Sequence, residues 1–297
     1  RGLARSKVLH HEHELSSGRT SSITFNPIKY KNNNGMVSLN STKSRRTKEA
    51  RYIKDLDIQT KDDNEKVISF IDLAGHEKYF KTTVFGVTGM FPDRGIVVIG
   101  ANTGITSLTK QHLGTLLYLK IPFIITITKI DLAPKEIYQK LKNNIKRLLK
   151  ANSFSKIVYF INNDDDTDKY IDDMIHNEDI IPVISISNKD GTNINNIHKI
   201  IYNTKPRDKF KQEENKTVVY LDSNFNVPGI GLVVSGTIKG NDIKVKDKMY
   251  LGPYNGQFCP VIIRSIHNSI REEVESIGNG VQGCFAIKFI NSKQTIS

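Results

Sequence analysis

Three short motifs carry groups suited to handling a nucleotide. The run Val67–Ile71 leads into Asp72-Leu73-Ala74-Gly75-His76-Glu77. A carboxylate at the end of a strand can hold a water on Mg²⁺ beside a nucleotide, and a glycine three residues on lets a backbone N–H come close to a terminal phosphate. Asp131, in Thr128-Lys129-Ile130-Asp131, lies fifty-nine residues beyond Asp72. Such an aspartate can accept two hydrogen bonds, from N1 and N2 of guanine, while the lysine stem lies along the base. Adenine offers no such pair of donors. The third motif, Ser187-Asn188-Lys189-Asp190-Gly191, supplies a loop whose backbone N–H groups could meet guanine O6. Each motif read alone is also an ordinary strand-to-helix turn with Asp or Ser as its cap.

These groups need a scaffold that brings strand ends together, and the apolar pattern provides one. Val67–Ile71, Gly95–Gly100, Phe123–Thr128 and Ile181–Ser187 read as buried strands, with Lys110–Leu119 and Lys135–Lys150 as helices between them. Ile137, Leu141, Ile145, Leu148 and Leu149 make one apolar stripe on the second helix, with lysines opposite and Pro134 at its first turn. This is an open α/β sheet with helices on its faces, and ligands of such folds bind beyond the carboxyl ends of the strands.

Other segments read differently. Residues 31–64 have few apolar side chains and no period, which predicts a flexible insertion. Residues 162–179 carry an aspartate cluster that lacks the ligand spacing, turn glycine and closing glutamate of a calcium loop, so they read as a solvated acidic loop. After the charged stretch 205–216 the grammar changes to short strands at Thr217–Leu221, Gly231–Ile238, Lys248–Leu251, Val261–Ile266 and Phe285–Ile290, separated by turn residues. That is a small antiparallel barrel. The boundaries expected are 1–205 for the α/β domain, 206–216 for a linker and 217–297 for the barrel.

Composition narrows the classes. No apolar run is long enough to span a bilayer. Cys259 and Cys284 are too few for a disulfide framework, which points to a reducing, cytoplasmic setting. The formal net charge is +12, distributed unevenly: +7 over residues 1–60, +6 over 111–150 and −5 over 151–204. A lysine-rich composition explains this as well as RNA contact does; contact would show as steep salt dependence. His10, His11 and His13 have no second ligand pair at zinc spacing. Gly229, Gly231 and Gly236 precede no helix and read as β turns and close packing rather than as a phosphate loop.

The motifs DLAGHE, TKID and SNKDG, with Val227-Pro-Gly-Ile-Gly-Leu-Val-Val-Ser-Gly-Thr237 in the barrel, resemble the translational GTPases related to elongation factor Tu. His10-His-Glu-His-Glu14, Ser17-Gly-Arg-Thr-Ser-Ser22 and DLAGHEKYFKTTVFGVTG resemble the GTP-binding protein 1 branch of that family. The resemblance implies a GTP/GDP-binding switch dependent on Mg²⁺, hydrolysing GTP and acting with the ribosome and tRNA or another RNA. By it, Asp72 sits near Mg²⁺ through water, Gly75 donates its N–H to the γ-phosphate and His76 positions the attacking water. Thr128, Lys129 and Asp131 recognise guanine, with Thr128 in place of the commoner asparagine. Ser187, Asn188 and Lys189 line the base. Thr20, or Ser22 by an alternative alignment, gives the first switch its Mg²⁺-binding hydroxyl. The barrel resembles the family's second domain, which helps hold the acceptor end of aminoacyl-tRNA.

One part is absent from the 297 residues: no G-x-x-x-x-G-K-[ST] occurs. A GTPase of this kind needs that loop, whose backbone N–H groups and lysine carry the phosphates. The family places it upstream of the first switch, so the start at Arg1 predicts a piece of a longer chain, lacking the P-loop and the family's third domain and weak in GTP binding and turnover. The alternative expectation is an RNA-associated or scaffold module that keeps the fold without hydrolysis.

Overall fold

Strands β1 (Thr24–Asn33), β2 (Met36–Asn40) and β3 (Glu65–Asp72) form an antiparallel sheet in the order β2-β1-β3. The computed structural model describes residues 21, 23–33, 36–40, 65–150, 156–207, 216–254, 256–269 and 271–290. Thr24 pairs with Asp72 and Ile28 with Ile68. This corrects two expectations. The strand that ends at Asp72 belongs to this antiparallel sheet, because its partner is β1; an apolar run does not by itself tell which neighbour it bonds. The stretch 31–64 also supplies the end of β1 and all of β2, while residues 41–64 lie outside the described residues.

Beyond β3 come a short turn of 3₁₀ helix (Glu77–Tyr79), helix α1 (Phe80–Gly89), β4 (Gly95–Gly100), α2 (Ser107–Tyr118), β5 (Phe123–Thr128) and α3 (Lys135–Lys150). They are followed by β6 (Ile157–Ile161), α4 (Asp164–His176), β7 (Ile180–Ser185) and α5 (Ile194–Asn203). The four strands make a parallel sheet in the order β4-β5-β7-β6. Thr106 starts α2 with a capping box, its Oγ1 accepting from Thr109 N at 3.1 Å.

Phe123 to Ile127 are all buried, as a strand covered on both faces requires. On one face Ile125, Ile127 and Val183 pack with Val87, Leu113, Leu116, Leu141, Ile145 and Leu149. On the other, Ile124 and Ile184 pack with Tyr30, Tyr170, Met174, Ile197 and Ile200. Ile137, expected in the buried stripe of α3, is 47% exposed at the helix's first turn.

The acidic stretch 162–179 is largely helix, not loop, and this too is a correction. Asn163 caps α4, its side chain accepting from Asp166 N at 2.8 Å. Asp164, Asp165 and Asp166 occupy the first turn, where the helix dipole favours negative charge. Thr167, Tyr170 and Met174, at spacings of three and four, bury the inner face. Strand β6, which precedes it, was also missed, although its five β-branched and aromatic residues between polar flanks are a strand signature.

By internal contacts the chain divides between Pro206 and Arg207. Beyond it, β8 (Val218–Val227), β9 (Gly231–Lys239), β10 (Ile243–Lys244), β11 (Lys248–Tyr254), β12 (Gln257–Asn268), β13 (Glu273–Val274), β14 (Ser276–Ile277) and β15 (Gln282–Phe289) are all strand. Six of them form an antiparallel half-barrel, five in the order β11-β12-β15-β9-β8 and β13 paired with β12, around Val234, Ile238, Val261, Ile263, Ile266 and Phe285. Gly229 and Gly231, at φ of 80° and 96°, form the β8–β9 turn that a non-glycine residue would strain. Gly236 sits where an added Cβ would lie 2.4 Å from the Tyr220 carbonyl of β8, which fits the close packing expected of it.

Candidate functional site

Parallel pairing of β5 with β7 brings the ends of both strands to one edge, and with them two of the three motifs. Thr128 closes β5 half-buried, its carbonyl accepting from Ala101 N at 2.8 Å. Lys129 adopts the left-handed conformation, φ 59° and ψ 36°, which turns the chain sharply into the short 3₁₀ turn Ile130–Leu132. A side chain in that conformation carries a cost that a turn retains where geometry matters. The turn leaves Lys129 and Asp131 exposed at the strand edge.

The loop after β7 is built around Ser187, which is fully buried. Its Oγ donates to Asp131 Oδ1 at 3.0 Å and accepts from Lys189 N at 3.3 Å. The Ser187 carbonyl accepts from Gly191 N at 3.0 Å, and Gly191 takes φ 83°. Asp190 accepts from Thr192 Oγ1 at 2.6 Å and from Thr192 N at 2.9 Å; these bonds hold its carboxyl below the usual carboxylate range. Asn193 Nδ2 donates to the Ser185 carbonyl at 2.8 Å, and the Tyr138 hydroxyl lies 2.8 Å from Ser185 Oγ. Asn188 and Lys189 stay exposed.

Ser187 therefore does something its sequence context did not reveal. Expected to line the base, it stands behind Asp131 and fixes one carboxylate oxygen, tying the TKID turn to the SNKDG loop. The other oxygen and the exposed stems of Lys129 and Lys189 remain at the edge. Ser185, Tyr138 and Asn193 brace this arrangement and were missed; Asn193 was readable only as a residue that tolerates positive φ.

The first motif sits at the end of β3. Ala74 is buried, and its carbonyl accepts from Thr83 Oγ1 at 2.5 Å, which fastens the loop to α1. Gly75 is exposed, lies outside the positive-φ region, and would have open space around an added Cβ. Neither backbone strain nor crowding within the chain accounts for a glycine here. His76 is half-buried, with Nδ1 accepting from Lys78 N at 3.2 Å and its ring 6.2 Å from that of Tyr79. On the next turn the Phe80 ring stacks on His112 of α2, centroids 5.7 Å apart and planes 17° from parallel. Leu73 and Ile130 both pack against the core on one face of the sheet, so the loop and the TKID turn share one support. Thr20 and Ser22 lie outside the described residues, as do His10, His11 and His13; β1 starts, at Thr24, directly opposite Asp72.

A family model, the elongation factor Tu GTP binding domain, matches residues 11–207. The chain belongs to this family. All three motifs fall inside the matched stretch. GTP-binding protein 1 of Xenopus laevis is 36% identical over 291 residues, which is 98% of this chain and 43% of that protein. Human GTP-binding protein 2 is 33% identical over 91% of this chain and 44% of its own length. The chain thus spans less than half the length of these relatives. Among solved structures, a bacterial selenocysteine-specific elongation factor, EF-Sec, superposes with a TM-score of 0.60 at 19% identity, covering 96% of this chain and 39% of that one. The elongation factor SelB of Methanococcus maripaludis in complex with the GTP analogue GppNHp gives 0.59 at 24%, covering 77% and 45%. These two likenesses concern the fold, an α/β domain followed by an antiparallel half-barrel, as the family reading implies.

Proposed function

We propose that this chain carries the guanine-reading and switch portions of a GTP-hydrolysing translation factor. The observation that carries the reading is the Ser187–Asp131 hydrogen bond, which makes one rigid acceptor platform from two loops distant in sequence. A carboxylate fixed by one oxygen and open at the edge suits the N1 and N2 donors of guanine and repels the adenine edge. Lys129 and Lys189 flank the ring with their stems.

Gly75 supports the second half of the reading, since a glycine that neither strain nor crowding within the chain requires suits the close approach of a phosphate to the backbone. Asp72 is a single carboxylate at a strand end, which fits Mg²⁺ carried in on nucleotide phosphates with most of its waters retained; among the described residues no cluster of three ligands exists to hold a metal alone. Bound there, the ion would neutralise phosphate charge; Thr20 is the hydroxyl proposed to join it, and in a protein that also carries the P-loop a Thr20→Ala variant with full Mg²⁺-dependent turnover would transfer that role to Ser22. His76, whose Nδ1 is engaged by Lys78 N, presents its other nitrogen for orienting water.

The similar selenocysteine-specific elongation factors and the gamma subunit of translation initiation factor 2 support action in translation, and the proposal extends this to the ribosome and tRNA as partners and the cytoplasm as location. Because the 297 residues contain no P-loop pattern, GTP binding by this stretch alone is weak and turnover negligible. The same fact permits, as a second reading, an RNA-associated module without hydrolysis. Equilibrium titration with fluorescent guanine and adenine nucleotides tests the leading one. Weak binding with guanine preferred, and the preference removed by Asp131→Asn, is expected. Equal affinity for the two bases would sink the base-reading assignment, and nanomolar GTP affinity would contradict the role given to the P-loop.

A further inference from the structure

Two helices on opposite faces of the four-stranded sheet carry opposite charge. Helix α3 has six cations, Lys135, Lys140, Lys142, Lys146, Arg147 and Lys150, against one anion, Glu136. Helix α4, on the opposite face, has six aspartates against Lys169. A composition that merely favoured lysine would scatter it over both. Instead the cations gather on the outer side of α3, where Lys135, Lys140, Lys146, Arg147 and Lys150 are exposed, and Lys110 of α2 joins them. Lys110, Asn144 and Arg147 meet round a shallow notch of about 260 Å³ floored by Ile105 and Leu148.

Among the described residues no ion pair neutralises this face; the side-chain ion pairs are Lys156–Asp179 and Lys199–Asp168, neither of which involves it. Lys142–Lys146 and Lys146–Lys150 are like-charge neighbours at four-residue spacing, an arrangement that weakens a helix by about 0.2–0.5 kcal/mol per pair. Lys142 is partly drawn in, its Nζ over the rings of Phe160 and Tyr138 at 4.6 and 5.5 Å. The other cations extend along about 22 Å of helix.

The make-up of the face selects the partner. Past the first turn of α3 its exposed residues are lysine, arginine, asparagine and glutamine, and Ile137 is the helix's only exposed large apolar side chain. Protein interfaces are anchored by buried aromatic or apolar side chains and are depleted in lysine. Phosphate oxygens are met by lysine, arginine, asparagine and glutamine, without aromatics when the backbone rather than the bases is held. We infer that the outer face of α3, with Lys110 of α2 beside it, binds the phosphate backbone of an RNA, independently of the nucleotide-reading edge and of the barrel. The inference rests on charge and exposure alone, so it stands whether or not the chain hydrolyses GTP.

The test is fluorescence anisotropy of the 297-residue chain with a labelled oligouridylate of about 20 nucleotides, without GTP, across a salt series. About five phosphate contacts predict an affinity that falls roughly 100-fold between about 50 and 200 mM salt. The triple variant Lys140→Glu/Lys146→Glu/Arg147→Glu should bind at least tenfold more weakly, with a log–log salt slope shallower by about two. The pair Asp165→Lys/Asp172→Lys, on the opposite face, should leave the slope unchanged. Circular dichroism checks that each variant folds, and the neutral set Lys140→Gln/Lys146→Gln/Arg147→Gln replaces the reversal if it does not. An unchanged affinity and slope in the α3 variant overturns the inference. So does saturable binding of polyglutamate that RNA fails to displace, which would make the partner an acidic protein.

Discussion

Ser187 shows how little of a site can be visible in residue type. Its hydroxyl is buried, donates once and accepts twice, and its removal strands Asp131 Oδ1 and the Lys189 amide together. Ser187→Ala is expected to lower stability by about 1–2 kcal/mol, read from urea denaturation, and to weaken guanine preference, because the remaining carboxylate is free to rotate. A variant with wild-type stability would mean that water replaces the hydroxyl. A second residue-scale expectation concerns acid. Burial holds both His112 and His198 below the ordinary value of 6.5. The unfolded chain then takes up protons near pH 6.5 that the folded chain refuses, so stability falls as pH drops through that value towards the lower folded ones. The urea midpoint should therefore be lower at pH about 5.5 than at about 7.5, and His112→Phe, which keeps the stacking on Phe80, should shrink the difference. An acid-insensitive midpoint would show that these rings stay solvated.

Elements were legible where their period was strong and illegible where charge masked it. The run Phe123–Thr128 and the stripe Leu141, Ile145, Leu149 declared a buried strand and an amphipathic helix, and both are present. Helix α4 hid because six aspartates outweighed Thr167, Tyr170 and Met174 in the eye of a composition argument, although Asn163 followed by acidic residues is a helix-start signature. The sheet assignment of β3 was beyond reach, since hydrogen-bond partners are set by β1, whose own sequence mixes Thr, Asn, Pro and Lys with its apolar positions. The cap gives a direct check on α4. Asn163→Ala removes the bond from Asp166 N and is expected to cost about 1 kcal/mol, whereas Asn163→Asp should be nearly neutral. Equal losses in both would point to packing rather than capping.

At the scale of the molecule, the four-stranded sheet separates two cores that share no side chains. Ile145 belongs to one and Ile200 to the other, each about 1% exposed or less. Ile145→Val and Ile200→Val should each cost about 0.5–1.5 kcal/mol, and the double variant should cost their sum to within about 0.5 kcal/mol, because distant sites without shared partners add. A coupling well beyond that would mean that strain passes through the sheet.

Strand β4 lies at the end of the order β4-β5-β7-β6, and Val98 on it is 61% exposed, Ile96 38%. Its sequence, Gly-Ile-Val-Val-Ile-Gly, carries no charge, proline or bulge that would discourage pairing with another chain. Handled alone at high concentration, this stretch is consequently prone to zip edge to edge into aggregates, and a single gatekeeper lysine at position 98 is the change that would keep it in solution.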